Sequence, residues 1–397
     1  MLAHSHTRTH SYTYSLTAPY IVNLVAGLMT AEVAIKLQEA SGDAVPSSLN
    51  EFAEATLDSA IAANAISAVS MFTNCCILSF GLVRAGSIAA ALADAGSGAV
   101  GNASNGLHFA TAMGGVLAAA LSLLTSEQLA SLASVACVVL FSSFATLLLP
   151  GLASIQDPLA AFLTPPTSDD TLAAVAQAAP IVLTTSIYQN IVPSVTKILG
   201  YDRVKVPAVL LVGSLLPILM YVAWCFAVVG GDLDPHVGAG GPVITAFSIA
   251  AVFGSVIGCS MSLTEEIQAV VSRFQTDNID SNNGSNSSNT NQNVNNNDIF
   301  SFPAAAAAVS VPLLVANVFN ADANDFSAPL RMAGSYGSPF LYGVVPVLMA
   351  WTQRQKLQDS KDLVPGGIAS LGAVMLMYGG FIVAELGHDL TSLFVHS

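Results

Sequence analysis

The feature that most constrains this chain is a succession of apolar segments long enough to cross a membrane. Charge-free runs longer than about 20 residues recur along the sequence, and the run from Val206 to Gly230 is one of them. A helix satisfies all of its backbone hydrogen bonds within a single segment, which hydrocarbon requires. We therefore predict an all-α polytopic membrane protein.

Composition excludes several other classes. Hydrophobic residues make up 53% of the chain and charged residues 9%, and the mean hydropathy is +0.65. The net charge of −14 is spread over loops without a basic patch, so we predict no nucleic-acid partner. No common enzyme motif occurs, and the five cysteines lack metal-ligand spacing, so we predict no enzyme activity, no cofactor and no metal.

About ten segments are predicted to span the bilayer. The third and fourth are separated only by residues 125–128, which predicts a tight helical hairpin. The predicted limits are 16–38, 58–83, 107–125, 128–152, 172–199, 206–230, 241–272, 302–320, 326–353 and 366–388. We thus predict a transmembrane domain over 16–397 after a disordered polar stub over 1–15.

The basic residues predict an orientation for these segments. Eight of the 11 Lys and Arg residues fall on the side of the turn at 200–205, which makes that side cytoplasmic. Residues 275–300 are rich in Asn and Ser and are predicted to form a disordered loop on the same side. Both ends of the chain then lie on the opposite side.

A polar interruption divides segment 172–199. Polar residues occupy most of 184–190, and Pro193 follows them. A broken helix at membrane depth normally lines a cavity, and transporters bind substrate at such breaks. A Pro-kinked helix whose polar side chains bond their own backbone is an equally open interpretation. The candidate substrate-binding residues are Thr185, Ser186, Ile187, Tyr188, Gln189 and Asn190.

Five residues on two other segments are further candidates for the same cavity. They are Asn74, Ser79, Ser255, Gly258 and Ser262. Small and polar residues also mediate helix packing in lipid, and this alternative carries more weight for these five. Glu32 and Lys36 lie four residues apart on segment 16–38, where a local ion pair is the plain structural interpretation.

Several runs resemble those of a known family. These are IYQNIVP from Ile187, GYDRVKV from Gly200, GSLLPILMYVAW from Gly213, SLTEEIQ from Ser262, and LVPGGIASLG from Leu363. They are similar to the hydroxy/aromatic amino acid permeases, the tryptophan/tyrosine permease family of the amino acid/polyamine/organocation superfamily. Within that family, these runs are most similar to those of the plant and cyanobacterial branch. That branch usually has His where this chain has Gln189.

The resemblance implies a fold of two inverted five-helix repeats plus one further helix. Segment 172–199 would be the sixth span, one of two broken helices that form the binding site. Segment 16–38 resembles the second span, and nothing here matches the Gly-rich first span. The chain is therefore expected to have the inverted-repeat amino acid transporter fold without its first helix.

The resemblance also implies a function, namely secondary active transport of amino acids by alternating access. The expected substrates are aromatic (tryptophan and tyrosine), and the expected coupling is to protons. The expected location is the plasma membrane or a plastid membrane, with the amino acid and the bilayer as partners. A truncated or inactive, non-transporting membrane protein is the alternative, and an intramembrane enzyme is a more distant one.

Overall fold

The computed structural model describes residues 8–42, 49–97, 103–155, 185, 187–230, 241–282, 300–321, 328–357 and 361–395. Every regular element in these ranges is helical, which confirms the predicted all-α class. Six of the described helices are long and apolar enough to cross a membrane, and shorter apolar helices accompany them. The chain is thus a polytopic helical membrane protein.

The helices follow the predicted segments closely. In chain order they are α1 (Arg8–Ser41), α2 (Leu49–Leu57), α3 (Ala60–Ser97), α4 (Ala103–Leu123), α5 (Ser126–Ala153), α6 (Val192–Ile198), α7 (Lys205–Gly230), α8 (Pro242–Asn282), α9 (Phe302–Ala321), α10 (Ala328–Met332), α11 (Val345–Lys356) and α12 (Gly367–Val395). Two π-helical segments, Ala333–Gly337 and Phe340–Val344, lie between α10 and α11. Only the second half of predicted segment 172–199 falls within the described ranges.

The helix ends differ most from the predicted limits at three places, one of which is the end of α3 at Ser97, predicted at residue 83. α1 begins at Arg8, inside the stub predicted to be disordered, and α8 continues to Asn282, inside the predicted loop 275–300. Once a helix is nucleated, each added residue gains one hydrogen bond, so an apolar helix extends into a polar flank. Residues 1–7 and 283–299 lie outside the described ranges.

The short connection predicted between α4 and α5 is present, from Leu123 to Ser126, and it has a reciprocal cap. The backbone N–H of Gln128 donates to the Thr125 hydroxyl (3.2 Å), and the N–H of Thr125 donates to the Gln128 side-chain oxygen (3.0 Å). This pairing is a capping box, which satisfies two amides that a helix start otherwise leaves without partners.

The chain divides into two compact units. Unit 1 comprises Met1–Thr73, Leu148–His236 and Leu330–Ser397, and unit 2 comprises Asn74–Leu147 and Val237–Pro329. The core of unit 1 joins α1, α2, α11 and α12 through buried side chains such as Met29, Phe52 and Val345. In unit 2, glycine allows close helix approach, since a Cβ on Gly114 would lie 2.7 Å from the Leu313 side chain.

The turn between α6 and α7 is built by two residues with special roles. Gly200 takes a left-handed conformation (φ +63°), and the N–H of Tyr201 then reaches back to the carbonyl of Thr196 (2.9 Å). The Asp202 carboxylate accepts the N–H groups of Lys205 (3.0 Å) and Val204 (2.8 Å) and so caps α7. These backbone bonds to Lys205 and Val204 lower the pKa of Asp202, so the cap is lost only as pH falls through that lowered pKa.

A buried charge network fastens α1 inside unit 1, and Glu32 is its centre. The Glu32 side chain is 1% exposed and accepts Arg354 Nε (2.7 Å) and Nη2 (2.8 Å) in a bidentate pair. It also accepts the backbone N–H groups of Leu363 (2.9 Å) and Val364 (3.1 Å). Lys36 Nζ lies 3.3 Å from Glu32, so the predicted local pair exists as one part of a larger network.

The network is electrically balanced and extends toward the surface. Lys36 Nζ donates to Asp362 Oδ1 (2.7 Å), so two cations and two carboxylates share the site. Nearby, Arg203 makes a bidentate pair with Glu39 and donates to the carbonyl of Lys361. These cations belong to the set that the charge asymmetry assigns to the cytoplasmic side.

We predict that Glu32→Gln lowers the thermal stability of the detergent-purified protein strongly. The substitution leaves Lys36 and Arg354 buried with one carboxylate fewer, and breaking a buried pair costs about 3–5 kcal/mol. The matched control is Glu39→Gln on the same helix, which breaks the half-exposed pair with Arg203 and should cost about 1 kcal/mol or less. Equal shifts in melting temperature for the two variants would contradict this ranking.

Candidate functional site

The helix is interrupted immediately before α6. Tyr188 has φ −134° and ψ 0°, outside the helical range, and Gln189–Ile191 form a single 3₁₀ turn. Pro193 lies in the first turn of α6, a position where a missing backbone N–H is tolerated. The described backbone here is therefore a break that precedes the proline, and the proline begins the next helix.

Hydrogen bonds tie this break to α1 and α12. Gln189 is 3% exposed and accepts the backbone N–H of Tyr188 at its side-chain oxygen (3.0 Å). Its Nε2 donates to both the backbone carbonyl and Oδ1 of Asn23, each at 3.1 Å. The hydroxyl of Tyr378 donates to the same Oδ1 (2.5 Å). Asn23, Gln189 and Tyr378 form one buried cluster, called the Asn23 cluster below.

The second π-helical segment makes room for Tyr378 in this cluster. A Cβ on Gly343 would lie 2.1 Å from the Tyr378 ring, so the ring packs directly on the glycine backbone. π-helical turns occur often at functional sites, where they redirect groups that an α-helix would point elsewhere. The position of Tyr378 thus depends on Gly343.

A cavity of about 190 Å³ lies beside the break in unit 1. Its walls are mainly apolar and come from α1, the break, α6 and α7. The lining residues are Tyr20, Thr185, Ile187, Tyr188, Ile191, Val195, Val209, Leu210, Gly213, Ser214, Pro217, Ile218 and Tyr221. Three tyrosine rings among them give the cavity an aromatic character, and we call it the tyrosine-lined cavity.

Polar groups lie at the edges of the tyrosine-lined cavity. The Ser214 hydroxyl is 3.4 Å from the Tyr20 hydroxyl. The Tyr221 hydroxyl donates to the carbonyl of Thr185 (3.2 Å). The Tyr188 hydroxyl is also 3.5 Å from the carbonyl of Asn23, so this one side chain joins the cavity to the Asn23 cluster.

The structure separates the residues predicted for the break. Thr185, Ile187 and Tyr188 line the cavity, whereas Gln189 is buried in the Asn23 cluster. Ser186 and the side chain of Asn190 lie outside the described part of the chain. That these residues contact a substrate stays a prediction.

The second predicted group lies in unit 2, and its described hydrogen bonds are local or between helices. Asn74 Nδ2 donates to Ser262 (3.3 Å). The Ser79 hydroxyl donates to the carbonyls of Cys75 and Pro312, and that of Ser255 to Val252. A Cβ on Gly258 would meet no atom within 4 Å. The bonds of Asn74 and Ser79 match the helix-packing interpretation, and substrate contact stays a prediction.

Sequence analysis did not select Asn23, Tyr378, Tyr20, Ser214 or Tyr221. Asn23 carried a usable signal, because a strongly polar side chain within the apolar run around it is costly in lipid and therefore a candidate for function. The tyrosines carried no such signal, since aromatic residues are common in membrane helices. Their convergence becomes visible only when α1, α7 and α12 are placed together.

The site is equipped to bind a small amphipathic molecule. Hydroxyl, amide and aromatic groups surround it, and the described residues contain no group of three His, Cys, Asp or Glu side chains placed to hold a metal ion. A non-helical stretch beside a cavity, among membrane-length helices, is an arrangement at which membrane transporters bind substrate.

Comparison with known families gives the same class. The chain belongs to the tryptophan/tyrosine permease family, whose pattern matches residues 6–235 and 239–385. It is accordingly an amino acid permease and a multi-pass integral membrane protein. No individual curated protein matches the chain.

We predict that Gly27→Ala disturbs the site more than the fold. A Cβ on Gly27 would lie 2.6 Å from the Tyr188 hydroxyl, so that hydroxyl must leave its position next to the carbonyl of Asn23. Substrate affinity should fall while the melting temperature changes little, because the end of one side chain can move. Gly372→Ala is the control, since its Cβ would meet no atom within 4 Å. Unaltered binding by both variants would show that the Tyr188 hydroxyl has no part in the site.

Proposed function

We propose that the protein is a secondary active transporter of aromatic amino acids, driven by a proton gradient and working by alternating access. The observation that carries the proposal is the helix break at Tyr188–Ile191 beside the tyrosine-lined cavity. Membership of the permease family supports amino acid transport. The aromatic preference, the coupling and the mechanism are our inferences.

The tyrosine-lined cavity supports an aromatic substrate. Aromatic rings gain from edge-to-face or offset contact with other rings beyond the area they bury. Tyr20, Tyr188 and Tyr221 contribute three such rings, and apolar residues of α7 form much of the remaining lining. An indole or phenol ring fits these walls better than a charged or small polar side chain does.

Gln189 has a positioning role in this proposal. Its amide oxygen accepts the Tyr188 N–H and its amide nitrogen is held by Asn23, so its hydrogen bonds are made within the protein. We infer that it sets the backbone of the break and the direction of Tyr188. Thr185, Ile187 and Tyr188 then face the substrate, and Ser186 and Asn190 are proposed to complete the polar part of the site.

Gln189 also bears on coupling. Glutamine has no titratable group, whereas the histidine that usually stands here in the resembled branch titrates near neutral pH. Residue 189 therefore orients the site and does not relay a proton in this chain. The proton that drives uptake is carried by another group.

Uptake into liposomes tests the proposal. Purified protein should accumulate radiolabelled tryptophan, tyrosine should compete, and an imposed pH gradient should stimulate the initial rate. Tyr188→Ala should reduce uptake about tenfold, because a buried hydrogen-bonding partner is worth about 1–3 kcal/mol. Ile198→Ala is the matched control on the same segment, because this side chain is 82% exposed.

The results separate the parts of the proposal. Absence of uptake by folded protein would contradict transport and favour a non-transporting membrane protein. Uptake of small aliphatic amino acids alone would contradict the aromatic preference. Uptake indifferent to the pH gradient would contradict proton coupling, and equal rates for Tyr188→Ala and wild type would move the site away from the break.

A further inference from the structure

We propose that the side-chain amide nitrogen of Asn23 binds a carboxylate oxygen of the transported amino acid. The inference rests on the proposed function and adds to it a binding group on α1 that recognises the substrate's acid group. It follows from the orientation of one amide, its burial, and the chemistry of the groups that an amino acid can present.

The hydrogen bonds fix the orientation of the Asn23 amide. The backbone N–H of Tyr188 can only donate, so the Gln189 side-chain atom that faces it is the oxygen. Gln189 therefore presents its Nε2, a donor, to Asn23, and the Asn23 atom that faces this donor is Oδ1. The amide nitrogen of Asn23 then points away from the cluster, and it has no hydrogen-bond partner among the described residues.

This donor is buried at membrane depth. Asn23 is 2% exposed, and it lies about 20 Å along α1 from Lys36 at a rise of about 1.5 Å per residue. Both residues lie in Tyr20–Ala40, a helical segment long and apolar enough to cross a membrane, and the interior of a bilayer offers no bulk water to accept a hydrogen bond. A donor held in a fixed direction without an acceptor indicates that an oxygen atom occupies this position in a functional state.

An amino acid offers its carboxylate as the matching acceptor. In tryptophan the ammonium group and the indole N–H are donors, and neither can accept a hydrogen bond from an amide nitrogen. Tyr20 lies one turn from Asn23 on α1 and lines the cavity, and the Tyr188 hydroxyl joins the two sites. We place the carboxylate at Asn23, which does not itself line the cavity, and the side-chain ring in the tyrosine-lined cavity.

The substitution Asn23→Asp tests the amide nitrogen of Asn23 separately from the other hydrogen bonds of the Asn23 cluster. Aspartate keeps an oxygen that can accept from Gln189 and from Tyr378, but it replaces the amide nitrogen with a second, charged oxygen. Tyr378→Phe is the matched control, because it removes a bond to Oδ1 and leaves the amide nitrogen in place. Melting temperatures report whether each variant is folded.

The test compares tryptophan with tryptamine, its analogue without a carboxylate, by competition with radiolabelled tryptophan on the purified protein. Direct thermal-shift titration gives the tryptamine affinity of each variant. We expect Asn23→Asp to weaken tryptophan binding about tenfold or more, whereas tryptamine, a cation without a carboxylate, should bind as well as before or more tightly. Tyr378→Phe should change the two affinities by the same factor.

If Asn23→Asp lowers the affinities for tryptophan and tryptamine equally, or lowers neither, the inference is overturned. The Asn23 amide nitrogen would then bind water or serve only to hold the fold. Binding of no aromatic amino acid by the folded wild type would instead contradict the proposed function itself. If Asn23→Asp does not fold, Asn23→Ser is used instead; it removes both the amide nitrogen and Oδ1, so its losses for the two ligands are read against those of Tyr378→Phe, which removes only a bond to Oδ1.

Discussion

The arrangement of unit 1 depends on the carboxylate of Glu32. Five nitrogen atoms lie within hydrogen-bonding or ion-pairing distance of it, and they come from α1 itself, from α11 and from the loop before α12. A buried charge is tolerated only when its partners and geometry are this complete. α1 is consequently fixed at one end, and because it is a continuous helix its other end is fixed with it.

The far end of α1 carries the groups that define the site. Tyr20 and Asn23 meet the break and α7 there, and Gly27 lets Tyr188 approach the helix closely. Polar groups in this region satisfy one another where they can, as Gln189 does for the Tyr188 N–H. The unsatisfied donor of Asn23 is the exception, and exceptions of this kind are expected where a ligand completes the structure.

The sequence predicted those features that follow from local rules. Apolar run length located the spans, the four-residue gap predicted the short connection between α4 and α5, and the polar interruption marked the break. The short helix α2 was not predicted, because nine residues give too little periodic signal. The two π-helical segments were not predicted either, because their backbone register is set by contacts such as Gly343 with Tyr378.

Long-range partners were beyond the reach of sequence patterns. Glu32 and Arg354 are 322 residues apart, and Gln189 is 166 residues from Asn23, so no spacing rule connects them. The local pair of Glu32 with Lys36 was found because it obeys helical spacing, yet it is the longest of the contacts that Glu32 makes. Tertiary packing decided which polar residues became structural and which remained available to a substrate.

The central claim is that an aromatic amino acid occupies the tyrosine-lined cavity beside the break. Gly213 lines this cavity, and a side chain there would meet no atom within 4 Å, so a cysteine can be introduced without displacing a neighbour. The most direct measurement is the rate at which a thiol reagent labels Gly213→Cys, in a background without the five native cysteines. The account predicts that tryptophan slows the labelling in a saturable manner and that glycine does not. A labelling rate unchanged by tryptophan, in protein that still transports it, would contradict the account.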